Sequence, residues 1–366
     1  FAHNANSTSF INNTVINNSD ANIFLNNSIN NTLLNNIVNA SVDGFILNAS
    51  NNNTFINNTA RNNTRGFFIQ SSSVNNSFIN NSATNNLNSF FLSNSNSNIF
   101  NNNSANDNAN SGFTLSSSSN NTLGNNTALN NSIAGFNLSS SSRNNLTNNS
   151  VNNNTVGFSL LSSTNNSFIN NSAYSNSQNG FLLSSSNDNN LTENIVSSNR
   201  YAGIHLFNSS SKLRNGRLYN NTRDLLVNAS NIAFLVNISS LIFDNPYGNN
   251  SNFTNISIND SVTADSIYMI NWTAQPAALP TETISFAQKY LNITVMNGSN
   301  SLETVVWQWA ASELTGYDET KFVLYAYNNS GSWGILNATP DITSNTLGLT
   351  NFALYGNATY AILQNT

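Results

Sequence analysis

The chain has 366 residues, 38% hydrophobic and only 7% charged, no cysteine, and a formal net charge of -5. That length allows two domains with a substantial core, while the missing cysteines exclude a disulfide framework and a thiolate metal site. The small negative charge argues against nucleic acid as a partner, and with so few ionic side chains solubility falls to amides, hydroxyls and attached glycan.

The first residues, Phe1-Ala2-His3-Asn4, carry neither the charged region nor the apolar run of a leader, which reads as a processed or trimmed product. No apolar stretch approaches the roughly 20 residues that cross a bilayer, so no direct membrane span is expected. From residue 10 onward one motif returns every 22 or 23 residues, anchored at Phe10, Leu33, Phe55, Phe78, Phe100, Leu123, Leu146, Phe168, Leu191 and Leu213. Two residues before the anchor stand Asn31, Asn53, Asn76, Asn98, Asn121, Asn144, Asn166 and Asn189. Three after it stand Asn13, Asn36, Asn58, Asn81, Asn103, Asn126, Asn149, Asn171 and Asn194, and five after it the residue is small and apolar, as at Val38, Ala60 and Ala83. A Gly-aromatic-x-aliphatic stretch follows, as in Gly112-Phe113-Thr114-Leu115, whose i, i+2 spacing puts both apolar residues on one face of a strand.

Short strands, polar corners and a fixed period without helix predict an all-β chain: a right-handed parallel β-helix of about ten coils of 22–23 residues. Equivalent positions would stack at about 4.8 Å, with Phe and Leu filling a core and inward Asn bonding to the coils above and below. Glycine in the Gly-aromatic stretch is expected to supply a positive φ, with Asn22 and Ser89 in its place in two coils. The motif N-x-I-x-x-N-x-[AVI] followed by G-[FI]-x-L resembles the NosD-like β-helix repeats of secreted and surface proteins of archaea. The resemblance implies the fold over residues 5 to 230 and leaves the function open, since such repeats occur in sugar-acting enzymes, adhesins, copper-enzyme accessory proteins and structural surface proteins.

Within the repeat, Asp20 and Asp43 share an offset that Arg65 takes in the next coil, which offers two acids but no third to complete a glycosidase-like set. Asn12, Asn57, Asn80, Asn102, Asn125, Asn148 and Asn170 each begin an Asn-x-Ser/Thr triplet and are candidate N-glycosylation sites, expected to face outward. Six of the Lys, Arg and His residues, Arg200, His205, Lys212, Arg214, Arg217 and Arg223, crowd one region. His205 lies between Ile204 and Leu206 and is expected on the exposed side.

All four Pro, among them Pro246, all four Trp and both Met lie beyond residue 240, where the repeat has faded. Alternating segments such as Phe322-Val323-Leu324-Tyr325-Ala326-Tyr327 predict an Ig-like β-sandwich, dividing the chain into 1–240 and 241–366, with the Trp residues as core. The expected function is a non-enzymatic structural subunit of an extracellular archaeal filament, sheath or surface layer. It would be N-glycosylated and would form a head-to-tail homo-oligomer, with no cofactor and no metal. The alternatives are a carbohydrate-binding adhesin using Phe68, Phe91, Tyr174 and Tyr201 as exposed aromatics, or a polysaccharide lyase or hydrolase.

Overall fold

The computed structural model describes residues 2–230, 232–244, 253–298 and 300–366; Phe1 and Pro246 lie outside them. It divides into two compact units, Phe1–Asn190 and Leu191–Thr366.

The first unit is a parallel β-solenoid. One coil consists of strands Thr54–Ile56, Thr59–Arg61 and Arg65–Gln70, and its neighbours repeat it in register, Phe55 standing opposite Leu33 and Phe78. Parallel pairing is possible because each strand meets its equivalent only after a full turn of chain. The inward residues form two aromatic columns. Phe45, Phe67, Phe90, Phe113, Phe136, Phe158 and Phe181 stack at 4.5 to 5.1 Å between ring centroids, and Phe55, Phe78 and Phe100 form a second column at 4.5 to 4.8 Å. Rings of the two columns meet edge to face, as Phe67 and Phe78 do at 6.1 Å.

The glycines play a different part from the one expected. Gly44 and Gly157 do not occupy the left-handed region; each sits in a strand where an added Cβ would come within 2.5 Å and 2.4 Å of the carbonyl oxygens of Gly66 and Gly180. They are required for close approach of coils, and the positive φ angles fall on Asn and Ser at the corners, such as Asn57 at 54° and Asn80 at 55°.

The second unit opens with the coils anchored at Leu191 and Leu213, whose strand Ala202–Phe207 pairs in parallel with Leu225–Asn228. There the repeat ends and the direction reverses. Leu225–Asn228 pairs antiparallel with Ile267–Thr273, followed edge to edge by Thr283–Asn297, Asn357–Asn365, Phe322–Tyr327 and Trp333–Asn337. On the other sheet Phe234–Asp244 lies parallel to both Ser211–Arg214 and Arg217–Tyr219, with Ser240 at φ 55° between the two pairings, and then antiparallel strands Phe253–Val262, Ser301–Gln308 and Thr346–Ala353 follow. The antiparallel strands thus continue the sheets of the last coils, where the sequence suggested a separate sandwich. Tyr268, Tyr290 and Tyr360 are its largest side chains with essentially no exposure, and Trp272, Trp307 and Trp309 are buried core as expected, whereas Trp333 is half-buried.

Candidate functional site

The Asn columns do structural work of one kind. Asn103 is 1% exposed; its Oδ1 accepts from the backbone and side-chain nitrogens of Asn81 at 2.8 and 3.1 Å, and its Nδ2 donates to the Phe78 carbonyl and Asn126 Oδ1 at 2.9 and 3.0 Å. Asn36, Asn58, Asn81, Asn126, Asn149, Asn171 and Asn194 are likewise buried. Asn13, in the first coil, makes the same bonds to Asn36 Oδ1 but stays exposed. Two further ladders were missed in the sequence. Asn63, Asn86, Asn108, Asn131, Asn154 and Asn176 are buried eight residues after the anchor, and Ser50, Ser73, Ser95, Ser118, Ser141 and Ser163 five before it; the backbone N–H groups of Asn63 to Asn154 in the first column, and of Ser50, Ser95, Ser118, Ser141 and Ser163 in the second, donate to the side-chain oxygen one coil on, while that of Ser73 donates to the Gln70 carbonyl. Both columns were open to the offset test that found the others.

The seven sequon asparagines are all exposed at positive φ. Those of Asn102, Asn148 and Asn170 donate their Nδ2 to Asn80, Asn125 and Asn148 on the coil before.

The paired acids do not form a catalytic set. Register places Ala21, not Asp20, beside Asp43. Asp43 is 2% exposed, both its oxygens are taken by Arg65 at 2.5 and 2.7 Å, and burial raises its pKa against the pull of the guanidinium. The same guanidinium lies 3.9 Å over the Phe68 ring. Phe68 is therefore covered, not an exposed aromatic; Phe91, stacked on it at 5.3 Å, is half-buried, while Tyr174 and Tyr201 are exposed.

The basic cluster in the second unit resolves into one meeting point. Arg200, Lys212 and Arg214 are spread over exposed positions, and Arg217 packs by its own Tyr219 ring at 5.8 Å. His205 behaves differently. Ile204 and Leu206 point into the core, so His205 leaves the outer side of the strand as expected, yet it is 91% buried, being 9% exposed. Tyr201 and Phe207 flank its ring at 5.9 and 6.1 Å, and Arg223 lies 4.7 Å over the Tyr201 ring while donating to the Tyr201 carbonyl at 3.3 Å. Burial first, and the Arg223 charge second, pull the imidazole down to about 4, so it is neutral at physiological pH. Its Nε2 has no hydrogen-bond partner, and neither do Arg223 Nε, Asn208 Oδ1 and Asn228 Oδ1, all buried; Asn228 pairs with Phe207 across the strands. Each of these orphaned buried atoms is costly unless something else satisfies it. The face combines a fixed cation, a neutral ring nitrogen, amide acceptors and two aromatic surfaces.

Among the described residues no group of three or more His, Cys, Asp or Glu gathers as a metal site, and no helix is long and apolar enough to cross a membrane.

A family model for the right-handed β-helix region matches residues 1–151 and 134–245, and the chain belongs to that family, as a right-handed parallel β-solenoid of about ten turns. No curated protein sequence matches it. Among solved structures it is similar to the A-module of a mannuronan C-5 epimerase of Azotobacter vinelandii, at 15% identity, over 67% of this chain and 74% of that one, with a TM-score of 0.48. It is also similar to a periplasmic alginate epimerase at 14% identity, 58% and 70% coverage and a TM-score of 0.46, and to the catalytic domain of an α-1,3-glucanase at 16%, 64%, 53% and 0.44. These neighbours overturn the expectation of a non-enzymatic chain: they are named as epimerases and a glucanase, and the exclusion of enzymatic activity is withdrawn. The fold rests on the family model, and at such identities and TM-scores the likeness transfers no reaction.

Proposed function

We propose that this protein acts outside the cell on polysaccharide, and that it engages an acidic glycan on the outer sheet face around His205. The observation that carries the reading is that His205 Nε2, Arg223 Nε and Asn228 Oδ1 are each buried and unpartnered, with His205 and Arg223 both against the exposed Tyr201 ring and Asn228 on the strand paired with that of His205. A uronate residue answers each feature. Its carboxylate pairs with the guanidinium, its hydroxyls donate to the imidazole nitrogen and the amide oxygen, and its ring packs on the aromatic that now covers Arg223. A neutral imidazole accepts a hydroxyl proton where an imidazolium would not. No feature of the described residues adds to the filament-subunit reading.

The test is calorimetric titration of the full chain with oligouronates and with uncharged oligosaccharides of equal length. Binding of the oligouronate, weakened at high salt and by about tenfold or more in Arg223→Ala and Tyr201→Ala, is the expected result. Equal binding by the wild type and both variants, or no oligouronate binding at all, would overturn the reading.

A further inference from the structure

A second feature of the Leu191–Thr366 unit is independent of His205. A cleft of about 290 Å³ opens between the turn Asn328–Gly331 and the edge around Asn292 and Asn357, with Tyr327, Pro276 and Thr359 in its walls. No charged side chain lines it. We infer that this cleft is a binding site for one uncharged pyranose unit of a polysaccharide, with Tyr327 as its stacking platform.

Tyr327 is built to stay in place. Its ring meets Trp333 at 5.3 Å, and Trp333 is itself fixed by an Nε1–H bond to the Ala278 carbonyl at 2.9 Å and by contact with Tyr290 at 6.4 Å. Trp333 therefore braces the platform and does not line the cleft, while the other three Trp residues are core. A pyranose presents an apolar C–H face and a rim of hydroxyls, so it needs one aromatic surface and several uncharged donors and acceptors. The amides supply them. Asn357 Oδ1 accepts from Asn292 Nδ2 at 2.8 Å, the nearby Thr294 hydroxyl giving its proton to Asn292 Oδ1 at 2.6 Å, and this orientation leaves the Asn357 Nδ2 for a ligand. Asn328 Oδ1 is held by the Ser330 N–H at 2.9 Å, which likewise leaves the Asn328 Nδ2. Gly331, at φ +75°, closes the turn, and a Cβ added there would stand 3.8 Å from the Tyr327 hydroxyl, so Tyr327 and the turn line the cleft together. The volume lies at the small end of ligand sites, about 300 Å³ and upward, which suits a single sugar ring.

The site is tested on the full chain by titrating uncharged gluco-, galacto- and manno-configured oligosaccharides, with tryptophan fluorescence and calorimetry as readouts. At least one of the three is expected to bind, with affinity falling about tenfold in Tyr327→Ala and in Asn357→Ala and unchanged in Arg223→Ala. A shift of emission on binding that disappears in Trp333→Phe places the ligand by the brace. Binding of none of the three, or binding unaffected by both Tyr327→Ala and Asn357→Ala, would overturn the inference. Because the oligouronate titration depends on Arg223 and this one does not, failure of either leaves the other standing.

Discussion

Asn102 and Asn103 are neighbours of the same type, and the solenoid predicts opposite costs for losing them. Asn103 is buried and its side chain makes four hydrogen bonds across coils. In Asn103→Ala the buried N–H of Asn81 loses its acceptor, at about 1–3 kcal/mol, and the Phe78 carbonyl and Asn126 Oδ1 each lose a donor at about 1 kcal/mol. The sum is about 3–5 kcal/mol. Asn103→Asp should be worse near neutral pH, because it turns a charged oxygen toward the Phe78 carbonyl and Asn126 Oδ1, and should recover partly in acid. Asn102 is exposed at φ 58° with one bond to Asn80. Asn102→Ala should cost only about 1–2 kcal/mol for the left-handed backbone, and Asn102→Gly close to nothing. Scanning calorimetry reads the difference as a drop of roughly 6–20 °C in the first unit's transition for Asn103→Ala, and amide exchange at Asn81 should accelerate with it. A melting temperature for Asn103→Ala equal to that of Asn102→Gly would refute the claim that the ladders are structural.

Two buried groups of the second unit titrate with opposite sign. His205, lowered to about 4, withdraws stability as pH falls from about 6.5 to 4, because the unfolded state takes up the proton first; Asp260, raised to about 6 mainly by burial and bonded to the Tyr268 hydroxyl at 2.6 Å, withdraws it as pH rises from about 4 to 6. Each is worth roughly 3 kcal/mol, so they nearly cancel in the wild type. Melting between pH 4 and 6 should show stability falling with pH in His205→Leu and rising in Asp260→Asn, and parallel slopes in the two variants would contradict the assignment. On the sequon column, Asn57 and Asn80 donate no side-chain bond of their own, and rungs there lie 4.8 Å apart by the Phe55 and Phe78 rings. Glycopeptide mass spectrometry of native protein should find N-glycan on one or other of Asn57 and Asn80 and never on both in one molecule; a doubly occupied peptide would count against the stacking geometry.

The rod was legible because in a solenoid the contact map is written at a fixed sequence offset. A column of identical residues 22 or 23 apart is a column of touching residues, so the Phe stacks and two Asn ladders followed directly, and the Asn63 and Ser50 ladders would have followed from the same test. What alternation could not give is what covers an outward side chain. Phe68 lies under Arg65 and His205 under Tyr201 and Phe207, and nothing in the i, i+2 pattern specifies either cover. The glycine role was misread for a similar reason: the sequence shows that a side chain is not tolerated, and two causes, a positive φ and a carbonyl 2.5 Å away, leave the same mark. After Asp224 no period remains, so the order in which strands pair is carried by tertiary packing alone.

Uniform columns also limit where function can reside. When every rung satisfies the next, as Asn103 does Asn81, the polar groups are fully used and present nothing to a ligand. In the first unit the orphaned polar atoms among the described residues are those of Ser89, which stands where other coils have glycine, and of Asn152 and Asn179. In the second, where Asn corners give way to basic and aromatic residues, His205, Asn208, Arg223 and Asn228 leave such atoms, as do Ser211, Thr254, Asn255, Ser285 and Tyr360. That is why the acidic-glycan face is sought around His205 and not along the ladders, although the ladders dominate the sequence.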